Sequence, residues 1–309
     1  MIKTRRSIIT GTIAISISAI LWGLDGVVLT PRLFNLDVFY VVFMLHAIPF
    51  LIMNFFFFKE YSKIKIFSKS DYFTLTVISI FGGAIGTLAI VKALFLVNFE
   101  QLTVVILLQK LQPMFAISLA AILLKEKLKR NFLLWATIAI TAGYFMTFGF
   151  KLPNFNSNSN TIYASMLAIL AALSFGSSTV FSKKILFKYD FKTTTFYRYG
   201  FTSLFMLIIL LFSGKFQQIH QTSTENWIYF LLIAITTGSG AIFLYYYGLT
   251  RIKAIIATIC ELFFPITAII LDYFVNGTIL STVQWISAII MIFAIISLNA
   301  SNTKASATS

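Results

Sequence analysis

Apolar stretches of about twenty residues recur along the entire chain, and they restrict its fold more than any other feature of the sequence. The segment "SIITGTIAISISAILWGL" (7–24) is one example. A helix of this length crosses the ~30 Å hydrocarbon core of a bilayer. Charged residues make up only 11% of the chain, whereas a soluble domain needs about a quarter to cover its surface. We therefore predict an all-α membrane protein.

The positions of the apolar stretches predict ten transmembrane helices. The predicted spans are residues 8–29, 38–58, 72–93, 102–124, 132–150, 162–182, 194–213, 226–247, 255–273 and 283–299. Eighteen lysines and arginines lie in the segments on one side of these spans, and only three, Arg32, Lys151 and Lys215, lie in the loops on the other side. Because basic residues concentrate in cytoplasmic loops, both termini are predicted to be cytoplasmic. The net charge of +14 thus reflects topology, and no nucleic-acid partner is predicted.

The two halves of the chain share short patterns at nearly constant spacing. "ILWG" (20–23) precedes "LSFG" (173–176) by 153 residues, and Pro113 precedes Pro265 by 152 residues. We predict a first five-helix repeat at 1–152, an external linker at 153–160, a second five-helix repeat at 161–300 and a short cytoplasmic tail at 301–309. Five helices per repeat make the second repeat enter the membrane in the opposite sense. Inverted repeats of this kind are typical of secondary transporters.

These patterns resemble the EamA-type members of the drug/metabolite transporter (DMT) superfamily. The resemblance rests on "ILWG" in the first helix, the pair Ala93–Leu94 that ends the third, Pro113 and Pro265 within the fourth and ninth, and Glu126 after the fourth. The second half departs from the pattern, because Thr278 occupies the position equivalent to Glu126. The resemblance implies ten helices in two inverted five-helix repeats and transport of a small metabolite by alternating access. It does not fix the substrate.

Polar residues interrupt the fourth predicted span in "LLQKLQP" (107–113). A charge at the centre of a spanning helix costs about 2.5–3.5 kcal/mol on insertion scales, so it is retained where it has a partner or a function. We predict that Gln109, Lys110 and Gln112 contact the substrate, with Lys110 binding a carboxylate. The structural alternative is that Lys110 extends to the membrane surface or serves only in an ion pair.

Three residues of the second half extend this candidate substrate site. Glu261 lies at the repeat-equivalent position of Gln109 and is predicted to bind a substrate amine or carry a coupling proton. The alternative for Glu261 is a structural ion pair with Lys110 or Arg198. Arg198 itself either binds substrate or extends to the nearby surface, and Tyr245 either covers the cavity or belongs to an aromatic belt.

Two further ionisable groups, Asp25 and His46, join Glu261 as candidates for proton coupling. Asp25 lies near the outer end of the first span, where a role at the rim of the cavity is the alternative. His46 lies in the middle of the second span. A single histidine in a membrane helix also serves as a hydrogen-bond partner of a neighbouring helix, which is the structural alternative.

Together these features predict a secondary transporter of the bacterial inner membrane that exports a small polar, amino-acid-like metabolite, with protons as the candidate coupling ion. The alternative is a non-transporting membrane receptor or assembly factor, and the sequence leaves open whether the chain forms a homodimer. We predict no enzymatic activity, because the chain lacks an HExxH motif and a Ser/His constellation. No ATP-binding Walker A motif is present, and no cofactor or metal is predicted.

Overall fold

The computed structural model describes residues 5–97, 105, 108, 109, 111–126, 130–150, 159–277, 279 and 281–307, and the regular structure in these ranges is entirely helical. We number the α-helices in chain order: α1 (Arg5–Leu24), α2 (Val38–Phe57), α3 (Lys69–Val77), α4 (Gly86–Leu96), α5 (Gln112–Leu123), α6 (Arg130–Phe148), α7 (Ser159–Ile185), α8 (Phe191–Phe212), α9 (Thr224–Ile233), α10 (Ser239–Leu249), α11 (Ala254–Cys260), α12 (Phe263–Asn276) and α13 (Thr282–Ala307). The predicted all-α membrane protein is confirmed.

Within the described residues, seven helical segments are long and apolar enough to cross a membrane. They are Arg5–Leu33, Val38–Ile66, Lys69–Leu96, Ile162–Ile185, Phe191–Phe212, Thr224–Leu249 and Ala254–Val275. Helices α5, α6 and α13 occupy the ranges of the other three predicted spans. The count of ten transmembrane helices stays a prediction.

Side-chain caps start the helices of the two halves at matching positions. The side chain of Asp37 accepts a hydrogen bond from the Phe39 backbone N–H at the start of α2. Asp190, 153 residues later, caps α8 by accepting from the Thr193 backbone N–H. A capping box formed by Ser68 and Asp71 begins α3. A second box, formed by Ser223 and Asn226, begins α9, 155 residues later. Each cap satisfies backbone N–H groups that the first helical turn leaves free.

The long helices are irregular in their middle parts. Wider π-helical turns occur at Asp25–Leu29, Ile78–Ile85 and Ala234–Gly238. Helices α11 and α12 are separated at Glu261 and Leu262, shortly before Pro265, which cannot donate a backbone hydrogen bond. Such irregular backbone is tolerated inside a membrane where it is buried in protein or lines a cavity.

Helix pairing follows the correspondence between the halves. Helix α1 packs against α10 and α12, and the corresponding helix α7 packs against α4 and α5. Helix α2 packs against α8, and α6 packs against α13. If the two halves are exchanged, the two contacts of α1 become the two contacts of α7. The α2–α8 and α6–α13 contacts remain the same. The contacts of the bundle are therefore two-fold in pattern.

The glycines of "ILWG" and "LSFG" permit two of these contacts. A Cβ at Gly23 would lie 2.9 Å from the carbonyl oxygen of Phe264, and a Cβ at Gly176 would lie 3.0 Å from that of Gln112. Phe264 follows Gln112 by 152 residues, so the two contacts are equivalent. Any larger residue at either glycine would push the helices apart at this point.

Equivalent contacts also join helices at the two ends of the bundle. At one end, which we call the ion-pair end, Lys188 Nζ lies 2.7 Å from Asp71 Oδ1. At the other, the amide end, Asn226 Nδ2 donates to Asn35 Oδ1 at 3.1 Å. Asn35 precedes α2, and Asp71 lies near the end at which α2 finishes. The 20 residues of α2, which form about 30 Å of helix, therefore separate the two ends. Lys188 follows Asn35 by 153 residues and Asn226 follows Asp71 by 155, which makes these contacts counterparts.

Candidate functional site

A cavity of about 290 Å³ lies between the two halves, where the irregular helical stretches meet. Seven of the eight residues predicted as substrate-binding or proton-coupling line it: Asp25, His46, Gln109, Gln112, Arg198, Tyr245 and Glu261. The eighth, Lys110, lies outside the described residues. The cavity also takes residues from the π-helical stretches, including Gly82 and Thr237. Backbone irregularity and polar side chains therefore coincide at one place.

Glu261 is held by neutral donors from both halves of the chain. The Gln112 side-chain amide donates to Glu261 Oε2. The hydroxyl of Tyr245 donates to Glu261 Oε1 at 2.6 Å, and the hydroxyl of Thr179 lies 2.8 Å from that of Tyr245. Each carboxyl oxygen thus has a donor without an ion pair to any described residue. Arg198, one of its predicted ionic partners, makes other contacts.

Arg198 is buried, with 8% of its surface exposed, and does not extend to the membrane surface. Its Nη2 donates to the carbonyl oxygen of Gly82 at 2.8 Å, and its Nη1 donates to the Tyr246 hydroxyl at 2.9 Å. Gly82 belongs to the π-helical stretch Ile78–Ile85. The remaining guanidinium nitrogen, Nε, is buried and has no hydrogen-bond partner among the described residues. The guanidinium group therefore fixes the irregular helix at the cavity wall through Nη1 and Nη2, while its Nε–H has no acceptor among the described residues.

Asp25 and His46 occupy another part of the cavity lining. The Asp25 carboxylate accepts hydrogen bonds from Thr30 at 3.2 Å and from Thr237 at 3.0 Å. Thr237 lies in the π-helical stretch of the second half, so Asp25 also joins the two halves. His46 Nδ1 lies 2.8 Å from the carbonyl oxygen of Val42, and its ring packs on that of Tyr199 at 5.5 Å. Both residues are therefore interhelical contacts as well as cavity-lining groups.

Four aromatic residues that line the cavity were missed among the predicted site residues: Trp22, Phe175, Tyr199 and Phe264. Trp22 and Phe175 line the cavity and are half-buried. They occupy the same position in "ILWG" and "LSFG", 153 residues apart. The repeated pattern contained this signal, but aromatic residues are also common on lipid-facing surfaces. Sequence position alone therefore did not distinguish the rings of Trp22 and Phe175 from aromatic residues that face lipid.

Glu126, which carried part of the family resemblance, has a structural role in the described residues. Its Oε1 accepts from the backbone N–H of Ala254 at 3.0 Å, and its Oε2 accepts from that of Ile255 at 3.1 Å. A carboxylate after α5 in the first half thus caps the N-terminus of α11 in the second half. The Glu126 side chain stabilises the orientation of the helix that leads to Glu261.

Comparisons with known proteins agree with these features. The sequence model of the EamA-like transporter family matches twice, at residues 9–149 and 162–300. The chain is 52% identical over 295 residues to the riboflavin transporter ImpX of Fusobacterium nucleatum subsp. nucleatum, covering 95% of this chain and 99% of that protein. A solved crystal structure of a protein 14% identical in sequence superimposes with a TM-score of 0.70 over 93% of this chain and 95% of the other. At that identity the likeness concerns the fold alone. The chain therefore belongs to the EamA-like transporter family and is an integral membrane transporter of a small molecule, not an enzyme.

Proposed function

We propose that this protein transports riboflavin across the bacterial inner membrane. The observation that carries the proposal is the 52% identity, over nearly the full length of both chains, to a protein named as a riboflavin transporter. Riboflavin combines a flat aromatic ring, which has carbonyl and imide groups along one edge, with a chain of hydroxyl groups. This substrate takes the place of the amino-acid-like metabolite that the sequence predicted.

The cavity lining suits a substrate of this kind. Aromatic residues such as Trp22 and Tyr199 supply flat apolar surfaces, and amide and carboxyl side chains supply hydrogen bonds. Gln112 and Glu261 can pair with the imide edge because they offer both a donor and an acceptor. We retain Gln109, Lys110, Gln112, Arg198, Tyr245 and Glu261 as the proposed substrate contacts. Specific pockets generally combine a mainly apolar lining with a few placed polar groups.

We also propose that the chain has ten transmembrane helices in two inverted five-helix repeats, with both termini in the cytoplasm. The twofold match of the family model, to 9–149 and 162–300, supports two repeats that join near the predicted linker. The equivalent caps at Asp37 and Asp190 support it independently. The distribution of lysine and arginine supports the orientation, which makes the ion-pair end cytoplasmic.

Alternating access is the proposed mechanism of transport. The ion-pair end and the amide end close the bundle with counterpart residues, so opening either end alone would expose the cavity to one side of the membrane. Glu261, Asp25 and His46 remain the proposed carriers of a coupling proton, because each is an ionisable group at the cavity wall. Export, rather than import, stays a prediction, and dimerisation remains open.

Counterflow in proteoliposomes tests the proposed function. Vesicles containing the purified protein are loaded with unlabelled riboflavin and diluted into labelled riboflavin. We expect transient accumulation of label, and none in protein-free vesicles or in vesicles loaded with ribitol. Binding of riboflavin without any exchange would instead support the receptor alternative. Absence of both binding and exchange would overturn the proposal.

A further inference from the structure

We infer that Trp22 and Phe175 form an aromatic clamp that holds the ring of the substrate, one residue from each half of the chain. The inference rests on the proposed function and adds the residues that select a flat aromatic substrate. Both side chains line the cavity, and both are half-buried.

The surrounding helices fix both rings in place. The Trp22 ring packs against the Tyr245 ring of α10, with centroids 5.3 Å apart and planes inclined at 51°. On the other side, a Cβ at Gly86 of α4 would lie 2.8 Å from Phe175 Cε1, so the absence of a side chain there makes room for the Phe175 ring. Helices α10 and α4 are counterparts in the two halves. Each ring is therefore backed by the corresponding helix of the opposite half.

The position of each aromatic residue next to a packed glycine sets its depth in the bundle. Gly23 follows Trp22 and contacts the backbone of Phe264, and Gly176 follows Phe175 and contacts the backbone of Gln112. These contacts lie beside the interrupted helices that carry Glu261 and Gln112, which hydrogen-bond each other. The two rings are thus placed at the level of the polar pair. Gln112 and Glu261 line the same cavity, so they are available to the polar edge of a ring held at this level.

Trp22 is also connected to the polar pair through Tyr245. The Tyr245 ring supports Trp22, and the Tyr245 hydroxyl donates to Glu261 at 2.6 Å. One residue thus supports the stacking surface and positions the carboxyl group. A substrate with a flat ring and a hydrogen-bonding edge uses both features together, whereas a flexible polyol uses only the second. The clamp therefore predicts recognition of the flavin ring more than of the ribityl chain.

The test measures riboflavin binding by equilibrium dialysis of the purified full-length protein. Trp22→Leu and Phe175→Leu keep an apolar side chain but remove the aromatic face. Stacking of a heterocyclic base on an aromatic side chain is commonly large enough that each variant should raise the Kd for riboflavin about tenfold. Trp22→Phe should retain most of the affinity. The matched control is Trp285→Leu, because Trp285 is 48% exposed on α13 and does not line the cavity.

Competition separates ring recognition from chain recognition. Lumichrome, which has the ring without the ribityl chain, should displace labelled riboflavin, and ribitol should not. If both leucine variants bind riboflavin with the wild-type Kd, or if ribitol competes and lumichrome does not, the clamp is wrong while the proposed function stands. If wild-type protein neither binds nor exchanges riboflavin, the proposed function is wrong and the clamp falls with it.

Discussion

Glu261 receives a hydrogen bond from Gln112 in the first half of the chain and another from Tyr245 in the second half. A carboxyl group inside a membrane bundle is costly, and donors from two sides offset part of that cost. The same arrangement makes Glu261 sensitive to any movement of one half relative to the other. It is therefore the proposed site at which proton binding and substrate binding are coupled.

We predict that Glu261→Gln separates exchange from driven transport. The amide keeps an acceptor for the Tyr245 hydroxyl but cannot gain or lose a proton in the working range. Riboflavin exchange at equal pH on both sides should therefore persist, at a rate reduced by roughly 10- to 100-fold, the range expected for loss of a hydrogen bond to a charged group. Accumulation driven by an imposed pH gradient should be lost.

Asp25→Asn is the comparison for this variant, because Asp25 lines the same cavity and also accepts two hydrogen bonds. If Glu261→Gln accumulates riboflavin in response to the gradient as wild-type protein does, Glu261 does not carry the coupling proton. Loss of driven accumulation in Asp25→Asn alone would assign that role to Asp25.

Arg198→Met is expected to destabilise the fold as well as the site. The substitution leaves the carbonyl oxygen of Gly82 without its side-chain donor, whereas the Tyr246 hydroxyl loses Arg198 but keeps its hydrogen bond with Ser182 at 2.8 Å. Leaving a buried polar group unpaired costs about 1–3 kcal/mol of unfolding free energy. Thermal unfolding in detergent should show a lower Tm, whereas Lys192→Met, at an exposed position of the same helix, should not. An unchanged Tm would contradict this role of Arg198.

The sequence predicted the charged and amide residues that line the cavity as candidate site residues but not Trp22 and Phe175, and the reason is energetic. Charged and amide groups are expensive in hydrocarbon, so Glu261 or Gln112 in an apolar span is already a signal. Trp22 and Phe175 give no such signal, because an aromatic ring in lipid costs little free energy and the chain has 34 phenylalanines. The partners of Arg198 also escaped prediction, since they depend on how α8 packs against a distant helix. Lys110 remains a prediction, outside the described residues.

Among the helices, Glu126 joins the end of α5 to the start of α11, which is distant in the sequence. Lys125 precedes it with a positive φ of 53°, a conformation that ends α5 abruptly. The chain then places the Glu126 carboxylate at the N-terminus of α11, where it accepts from two backbone N–H groups. Since α11 ends next to Glu261, the cap also orients the site.

Glu126→Ala should therefore lower the stability of the protein without removing a cavity-lining group. Loss of a helix N-cap typically costs about 0.5–2 kcal/mol, and the Tm in detergent should fall accordingly. The control is Glu225→Ala, because Glu225 is an exposed residue in the first turn of α9. Equal Tm values for the two variants would show that the Glu126 cap contributes nothing measurable.

Hydropathy predicted the seven spanning helical segments found among the described residues, but it could not predict where they become irregular. The π-helical stretch Ile78–Ile85 is as apolar as its neighbours, and its conformation depends on contacts such as that of Arg198 with Gly82. Pro265 did indicate a local change, and the helix is interrupted a few residues earlier, at Glu261 and Leu262. Local composition thus predicts the element, whereas its interior geometry is set by tertiary contacts.

In the whole molecule, the contacts at the ion-pair end and at the amide end are counterparts that differ in charge. Lys188 and Asp71 carry opposite charges, whereas Asn35 and Asn226 are neutral. The sequence repeats, spaced by 152 and 153 residues, predicted a correspondence between the halves, but not which residues would touch. Alternating access requires that each end open in turn, so fixing either end should stop transport.

Cross-linking tests this requirement in a Cys260→Ala background, since Cys260 is the single cysteine of the chain. One variant carries Asp71→Cys with Lys188→Cys, and the other carries Asn35→Cys with Asn226→Cys. Oxidation of either pair should abolish riboflavin exchange, and reduction should restore it. If each cross-linked protein exchanges riboflavin as fast as its reduced form, the two ends are not gates.

A crystal structure of the protein grown with riboflavin would show whether riboflavin binds in the cavity between the two halves. We predict a flavin ring between Trp22 and Phe175, with its imide edge within hydrogen-bond distance of Gln112 and Glu261. A flavin bound outside this cavity, or one that contacts neither the aromatic pair nor the polar pair, would rule out the proposed binding site.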